Sequence, residues 1–234
     1  MSTERSAPPL PLARLGLIAV FVTALITSQV TASKLVGIEI PFSLPLAGST
    51  LIVPAAAFAY AVTFFASDCY AELYGRSEAT KLVNVAFAMN FVLLGLVWLA
   101  IEAPIFVGSP VDQSPFASVL GSSTGVVAGS MLAYLVSQNL DVFTFHWLRD
   151  RTDGRLLWLR NVGSTATSQF VDTVIFITVA FIVFKGIPLS DAAGLIVGQY
   201  LVKIGVAVFD TPFVYAVVHF VRDREVGANV VPSD

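Results

Sequence analysis

Six apolar runs decide what this chain can become. They cover residues about 12–33, 50–73, 82–101, 119–145, 165–185 and 192–220. A helix needs about 20 apolar residues to cross the hydrocarbon of a bilayer, and each run is near that length. In hydrocarbon an unpaired backbone N–H or C=O is too costly to leave, so such runs form helices. Only 12% of the residues are charged and 56% are hydrophobic, whereas soluble domains average about 25% charged. The expected fold class is an all-α integral membrane protein, a bundle of six transmembrane helices. Residues 1–11 read as a disordered polar tail, 12–221 as the six-helix transmembrane domain, and 222–234 as a short polar C-terminal tail. The first run resembles a signal peptide in having Arg5 and Arg14 before it. It is longer than the usual signal core of about 7–15 residues, so it is read as an uncleaved span.

Charge orients the bundle. Arg5, Arg14, Arg76, Lys81, Arg149, Arg151, Arg155, Arg160, Arg222 and Arg224 fall in the tails and loops of one side. Lys34 and Lys185 fall on the other, and Lys203 lies inside the sixth run. Short cytoplasmic loops are rich in Lys and Arg, so both termini are expected in the cytoplasm. The net charge of −3 leaves no basic face for nucleic acid, and none is expected as a partner. Cys69 is the single cysteine, so no disulfide or Cys-rich metal site can form within one chain. No cofactor is expected. Besides the lipid bilayer, a homodimer stays open as a partner.

The polar residues inside the apolar runs carry the chemistry. A pattern Ser-Gln-x-x-Asp occurs twice, at Ser137, Gln138 and Asp141 and at Ser168, Gln169 and Asp172. A carboxylate at the centre of a membrane helix costs about 2.5–3.5 kcal/mol on insertion scales, so such groups face cavities or partners. Residues three and four apart share a helix face, so each copy puts an amide and an acid side by side. A basic loop separates the copies. Antiparallel packing then sets Gln138 level with Asp172 and Asp141 level with Gln169. The expectation is that the pair lines one site; the plainer alternative is that it glues two helices together.

Further candidates flank this pair. Asp68 and Glu72 sit four apart near the end of the second run, where like charges repel unless a proton or a cation intervenes. Lys203 is too deep to reach the surface easily and needs an acid or a ligand acceptor, with Gln199 one turn before it and Asp210 two turns after. Asn161 follows Arg160 in the basic loop. Pro54 and Pro212 interrupt helical hydrogen bonding, which in carriers points toward substrate sites.

Four blocks then carry a resemblance. SDCYAELYGRSEA at 67–79, GSMLAYLVSQNLDVFTFHWLR at 129–149, LWLRNVGSTATSQFVDTVIF at 157–176 and YLVKIGVAVFDTPFVY at 200–215 resemble the queuosine precursor transporter family, also called the VUT family. The resemblance implies a six-helix, multi-pass carrier of the cell membrane, not an enzyme. Its members take up 7-deazaguanine precursors of modified tRNA bases, such as 7-cyano-7-deazaguanine. The small-molecule partner implied is therefore a 7-deazapurine. Such a ring offers adjacent N–H donors beside a carbonyl, which an acid with an amide or Lys can match. On this reading the substrate-binding candidates are Gln138, Asp141, Gln169, Asp172, Lys203, Asp68, Glu72 and Asn161. More distantly the family resembles the binding subunits of energy-coupling-factor vitamin transporters. That alternative needs an ATPase partner, since the chain has no P-loop. It also expects an Ala-x-x-x-Ala docking motif, which the first run lacks. An aspartyl protease reading expects Gly-x-Gly-Asp, found at neither Asp141 nor Asp172.

Overall fold

The computed structural model describes residues 12–152 and 157–228. The predicted 1–11 tail lies outside them. Among the described residues six long helices are present: α1 Leu12–Thr31, α2 Ala56–Tyr74, α3 Arg76–Glu102, α5 Ser123–Arg151, α6 Leu157–Ile177 and α7 Leu189–Ala228. A short α4, Gln113–Gly121, leads into α5, and a π-helical segment, Thr178–Val183, ends α6. Five helical stretches are long and apolar enough to cross a membrane: Leu12–Thr31, Arg76–Glu102, Gln113–Leu148, Val162–Val183 and Leu189–Asp223. The sixth long helix, α2, carries Asp68 and Glu72 and packs against α1, α3 and α7.

One element departs from the expectation of helices alone. Residues Leu35–Leu44 (β1) and Gly48–Pro54 (β2) form an antiparallel hairpin between α1 and α2, with Leu35 paired to Pro54 and Gly37 to Ile52. The apolar run beginning near residue 50 therefore starts as strand, through Pro54, before it turns helical. Thr50, Ile52 and Val53 are β-branched and favour the pleated chain. Pro54 disfavours helical backbone in the residue before it, so the helix starts only at Ala56. The hairpin turns at Leu46 and Gly48, both at positive φ. Its second strand rests on α7, where a Cβ added to Gly198 would stand 2.6 Å from the Ile52 carbonyl oxygen. Glycine there lets a strand lie against a helix backbone.

The hairpin marks one end of the bundle; the arginines mark the other. At the arginine-rich end Gly75, with φ of 92°, allows the reversal between α2 and α3. Arg14 donates to Glu78 at 2.7 Å and to the Tyr70 hydroxyl at 2.9 Å, which pins α1 to this corner. Arg222 of α7 donates to the Glu72 carbonyl oxygen at 2.9 Å. α7 continues as helix to Ala228, beyond the expected boundary at 221. At the hairpin end Lys185 donates to the Ser33 carbonyl oxygen at 3.4 Å and lies over the Phe181 ring. Burial holds this ammonium below the usual lysine range.

α5 and α6 form a close antiparallel pair. Gly125 and Gly129, spaced Gly-x-x-x-Gly on α5, meet Phe184, Phe176 and Ala180: an added Cβ would stand 2.6 Å from Phe184 Cβ at Gly125 and 3.2 Å from Ala180 and the Phe176 carbonyl oxygen at Gly129. Small residues at this spacing let membrane helices approach closely. From Gly125 opposite Phe184 to Asp141 opposite Ser168, one step along α5 is one step back along α6.

Candidate functional site

The register of α5 and α6 brings the two Ser-Gln-x-x-Asp copies face to face. The serine of each copy reaches the acid of the other. Ser137 Oγ donates to Asp172 Oδ1 at 3.2 Å, and Ser168 Oγ donates to Asp141 Oδ1 at 3.2 Å. The depths expected from antiparallel packing hold to within one residue. The groups that bond the acids are the serines, each one residue from the amide expected to lie level with that acid. A membrane serine usually returns its hydroxyl to its own helix, and both serines also reach a carbonyl three residues back. The signal for their second role is the repeat itself: antiparallel copies oppose Ser to Asp.

A third helix separates the two acids. Lys203 of α7 donates to Asp172 Oδ2 at 2.5 Å, and the two side chains are 8% and 12% exposed. Its ammonium also lies 5.7 Å from the Tyr60 ring centroid on α2. Asp172 thus holds Lys203 on one oxygen and Ser137 on the other. A buried ion pair repays its desolvation only when the remaining lone pairs find donors, and this one is so arranged. Asp141 has no such cation among the described residues and is only partly buried.

Three cavities converge on the ion pair. The first, about 40 Å³, lies toward the hairpin end and is lined by Ser28, Pro54, Tyr60, Ser130, Gln199 and the pair itself. The second is an open cleft of about 610 Å³ toward the arginine-rich end, lined by Asp68, Thr165, Gln169, Lys203 and Asp210. The third, about 150 Å³, holds Tyr134, Ser137, Gln138, Gln169 and Asp172. Phe64 lines all three. Ligand pockets run from roughly 300 Å³ upward, so only the cleft is already of that size.

Helical spacing explains the convergence. On α2, Tyr60, Phe64 and Asp68 recur every fourth residue; on α7, Gln199 and Lys203 do; on α6, Gln169, Asp172 and Phe176 do in steps of three and four. The structure therefore gathers Gln169, Asp172, Lys203 and Asp68 around connected space, with Gln138 at the edge of the third cavity. Asp141 and Glu72 line none of these three cavities. Asn161, in the first turns of α6, lies outside the residues whose side chains are described. Tyr60, Ser130 and Gln199 were not among the sequence candidates. Tyr60 and Ser130 gave no signal beyond helical spacing, whereas Gln199 stands one turn from Lys203.

Among the described residues, two cavity-lining amides, and Asp210 in the cleft, carry unfilled oxygens. The Gln169 and Gln199 side-chain oxygens are buried and have no hydrogen-bond partner among the described residues. A buried acceptor without a donor costs about 1–3 kcal/mol, so each oxygen would gain from any donor that reaches it. No group of three or more His, Cys, Asp or Glu that could hold a metal occurs among the described residues. The arrangement can bind a solute with several N–H donors and a carbonyl. A ligand N–H can take the place of Lys203 or Ser137 on Asp172 while Lys203 turns to the ligand carbonyl.

Comparison with known proteins bears on that solute. Residues 54–217 match the family model described as putative vitamin uptake transporter. A protein of Bacillus subtilis (strain 168) described as a probable queuosine precursor transporter is 37% identical over 172 residues, which cover 71% of this chain and 72% of the relative. No solved structure matches the chain. Residues 54–217 of the family-model match include every cavity-lining acid, amide and lysine named above.

Proposed function

We propose that this chain, which belongs to the putative vitamin uptake transporter family, imports a 7-deazaguanine precursor of queuosine for tRNA modification. It is a multi-pass protein of the cell membrane and, as a transporter, not an enzyme. The observation that carries the substrate is the likeness to the probable queuosine precursor transporter. The geometry fits that ligand. Asp172 accepts from the ring N–H groups, Lys203 donates to the ring carbonyl, and Gln169 accepts a further donor. The flat ring stacks against Phe64 and Tyr60. Asp68 lies on the same cleft, and Gln138 borders the third cavity. Asp141 and Glu72 stand outside these cavities and serve packing and helix ends.

Six crossings, α2 included, put both termini on the arginine-rich side, and that side is cytoplasmic by the excess of basic residues there. The hairpin then caps the outer end. In this state the outer cavity is narrow, about 40 Å³, and the cleft faces the cytoplasm. The test is uptake of labelled 7-cyano-7-deazaguanine by cells lacking their own carrier and expressing the chain, with and without an energised membrane. Accumulation that depends on the chain is expected; uptake no greater than in cells without it would end the proposal. For orientation, an Asp112→Cys variant should label from outside intact cells. Labelling only after permeabilisation would reverse the assignment.

A further inference from the structure

The ion pair has an unfilled amide oxygen on each side of it. Gln169 lines the cleft toward the arginine-rich end and the third cavity. Gln199 faces the cavity toward the hairpin. On α7, Gln199 stands one turn from Lys203 on the same face. Its neighbour Gly198 holds the Ile52 backbone of the hairpin against the helix. The outer cavity therefore combines the Gln199 acceptor, the Lys203 donor, the Asp172 acceptor and the Tyr60 ring within one small space.

We propose that Gln199 forms an outer subsite that receives the exocyclic amine of a neutral fused heteroaromatic solute before the solute reaches the ion pair. This inference rests on the proposed import of a 7-deazaguanine. The physical reason is the unpaired oxygen. At the ion pair each Asp172 oxygen already has a donor, Lys203 on one and Ser137 on the other. The Gln199 oxygen has none among the described residues, so an incoming donor gains there without breaking a bond once the cavity, about 40 Å³ in this structure, widens to admit the ring. The ring then moves one helical turn inward, where its N–H groups and carbonyl exchange with Ser137 and Lys203 on Asp172. On the far side the Gln169 oxygen takes the amine in turn. Two acceptors flanking a central pair let the solute keep a partner for its amine in both halves of the path.

A buried acceptor that expects a donor discriminates against an analogue lacking it. The experiment compares 7-cyano-7-deazaguanine with its analogue lacking the 2-amino group, added outside cells expressing the chain. The KM of the first and the inhibition constant of the second are read at matched expression. The wild type should bind the analogue about tenfold more weakly. Gln199→Leu should raise the KM for the parent compound and bring the ratio near one. Gln169→Leu should lower the maximal rate and keep the external ratio near tenfold. Gln199→Met, closer in shape, serves if Gln199→Leu fails to insert. A wild-type ratio near one overturns the subsite by itself. So does a Gln199 variant that keeps the tenfold ratio, or a Gln169 variant that loses it. Failure of the wild type to take up the parent compound would instead remove the reading of function on which the subsite stands.

Discussion

The same four-residue pattern occurs twice, and its two copies have different surroundings. In the α6 copy the acid is buried, holds Lys203 and Ser137, and borders two cavities. Its amide oxygen is buried and unfilled. In the α5 copy the acid holds Ser168, is partly buried, and borders none of the three cavities, while Gln138 is exposed. The difference comes from α7. The α6 copy faces Lys203 and the cavities, whereas the acid of the α5 copy meets Ser168 of α6 and lines none of them. A motif in a membrane helix thus takes its role from the third helix that packs on it. Repetition alone places the copies level and bonds serine to acid.

The largest effect should come from removing the cation's partner. Asp172→Ala leaves Lys203 buried without an acid, which costs about 3–5 kcal/mol. Detergent stability should fall and uptake should vanish, whereas Asp141→Ala should insert and transport. Adding Lys203→Met to Asp172→Ala should restore most of the stability and none of the uptake, because the buried charge is gone and the ligand contacts remain missing. A double variant that transports normally would make the pair purely structural. The amides should separate next. Gln169→Leu should lower uptake about tenfold, and Gln138→Leu should change it less than about twofold. Equal effects would mean that exposure at Gln138 does not reflect its role. The serines should differ least. Ser137→Ala removes one of two donors to Asp172 and should cost about 1 kcal/mol of stability with a measurable rise in KM. Ser168→Ala should cost no more than that and leave KM unchanged.

Much of this was legible in the residues. Apolar runs fixed the helices because hydrocarbon permits little else. The spacing of the two copies fixed their relative depth because an antiparallel helix pair has one register for a given loop. Lys203 announced its need for an acid, although spacing along α7 could not say which helix would supply Asp172. The hairpin was hidden, since Leu51, Ile52 and Val53 read equally well as a helix start. The split between the two acids was hidden for the same reason that it matters. Both sit in the same local sequence, and only the packing of α7 on α6 tells them apart. Gln199 was visible beside Lys203, but its unfilled oxygen appears only once the hairpin closes over that turn.

The contrast between the acids is tested most directly by the gentlest change. Asparagine keeps the shape and a hydrogen bond but removes the charge. Binding of 7-cyano-7-deazaguanine to purified Asp172→Asn and Asp141→Asn, at matched folding, reads the comparison in one experiment. Asp172→Asn should weaken binding by about a hundredfold or more, since Lys203 loses its counter-charge and the ligand meets a donor where it needs an acceptor. Asp141→Asn should stay within about threefold of the wild type, because an amide still accepts from Ser168. Equal losses at both positions, or a larger loss at Asp141, would contradict the assignment of the site to the α6 copy and Lys203.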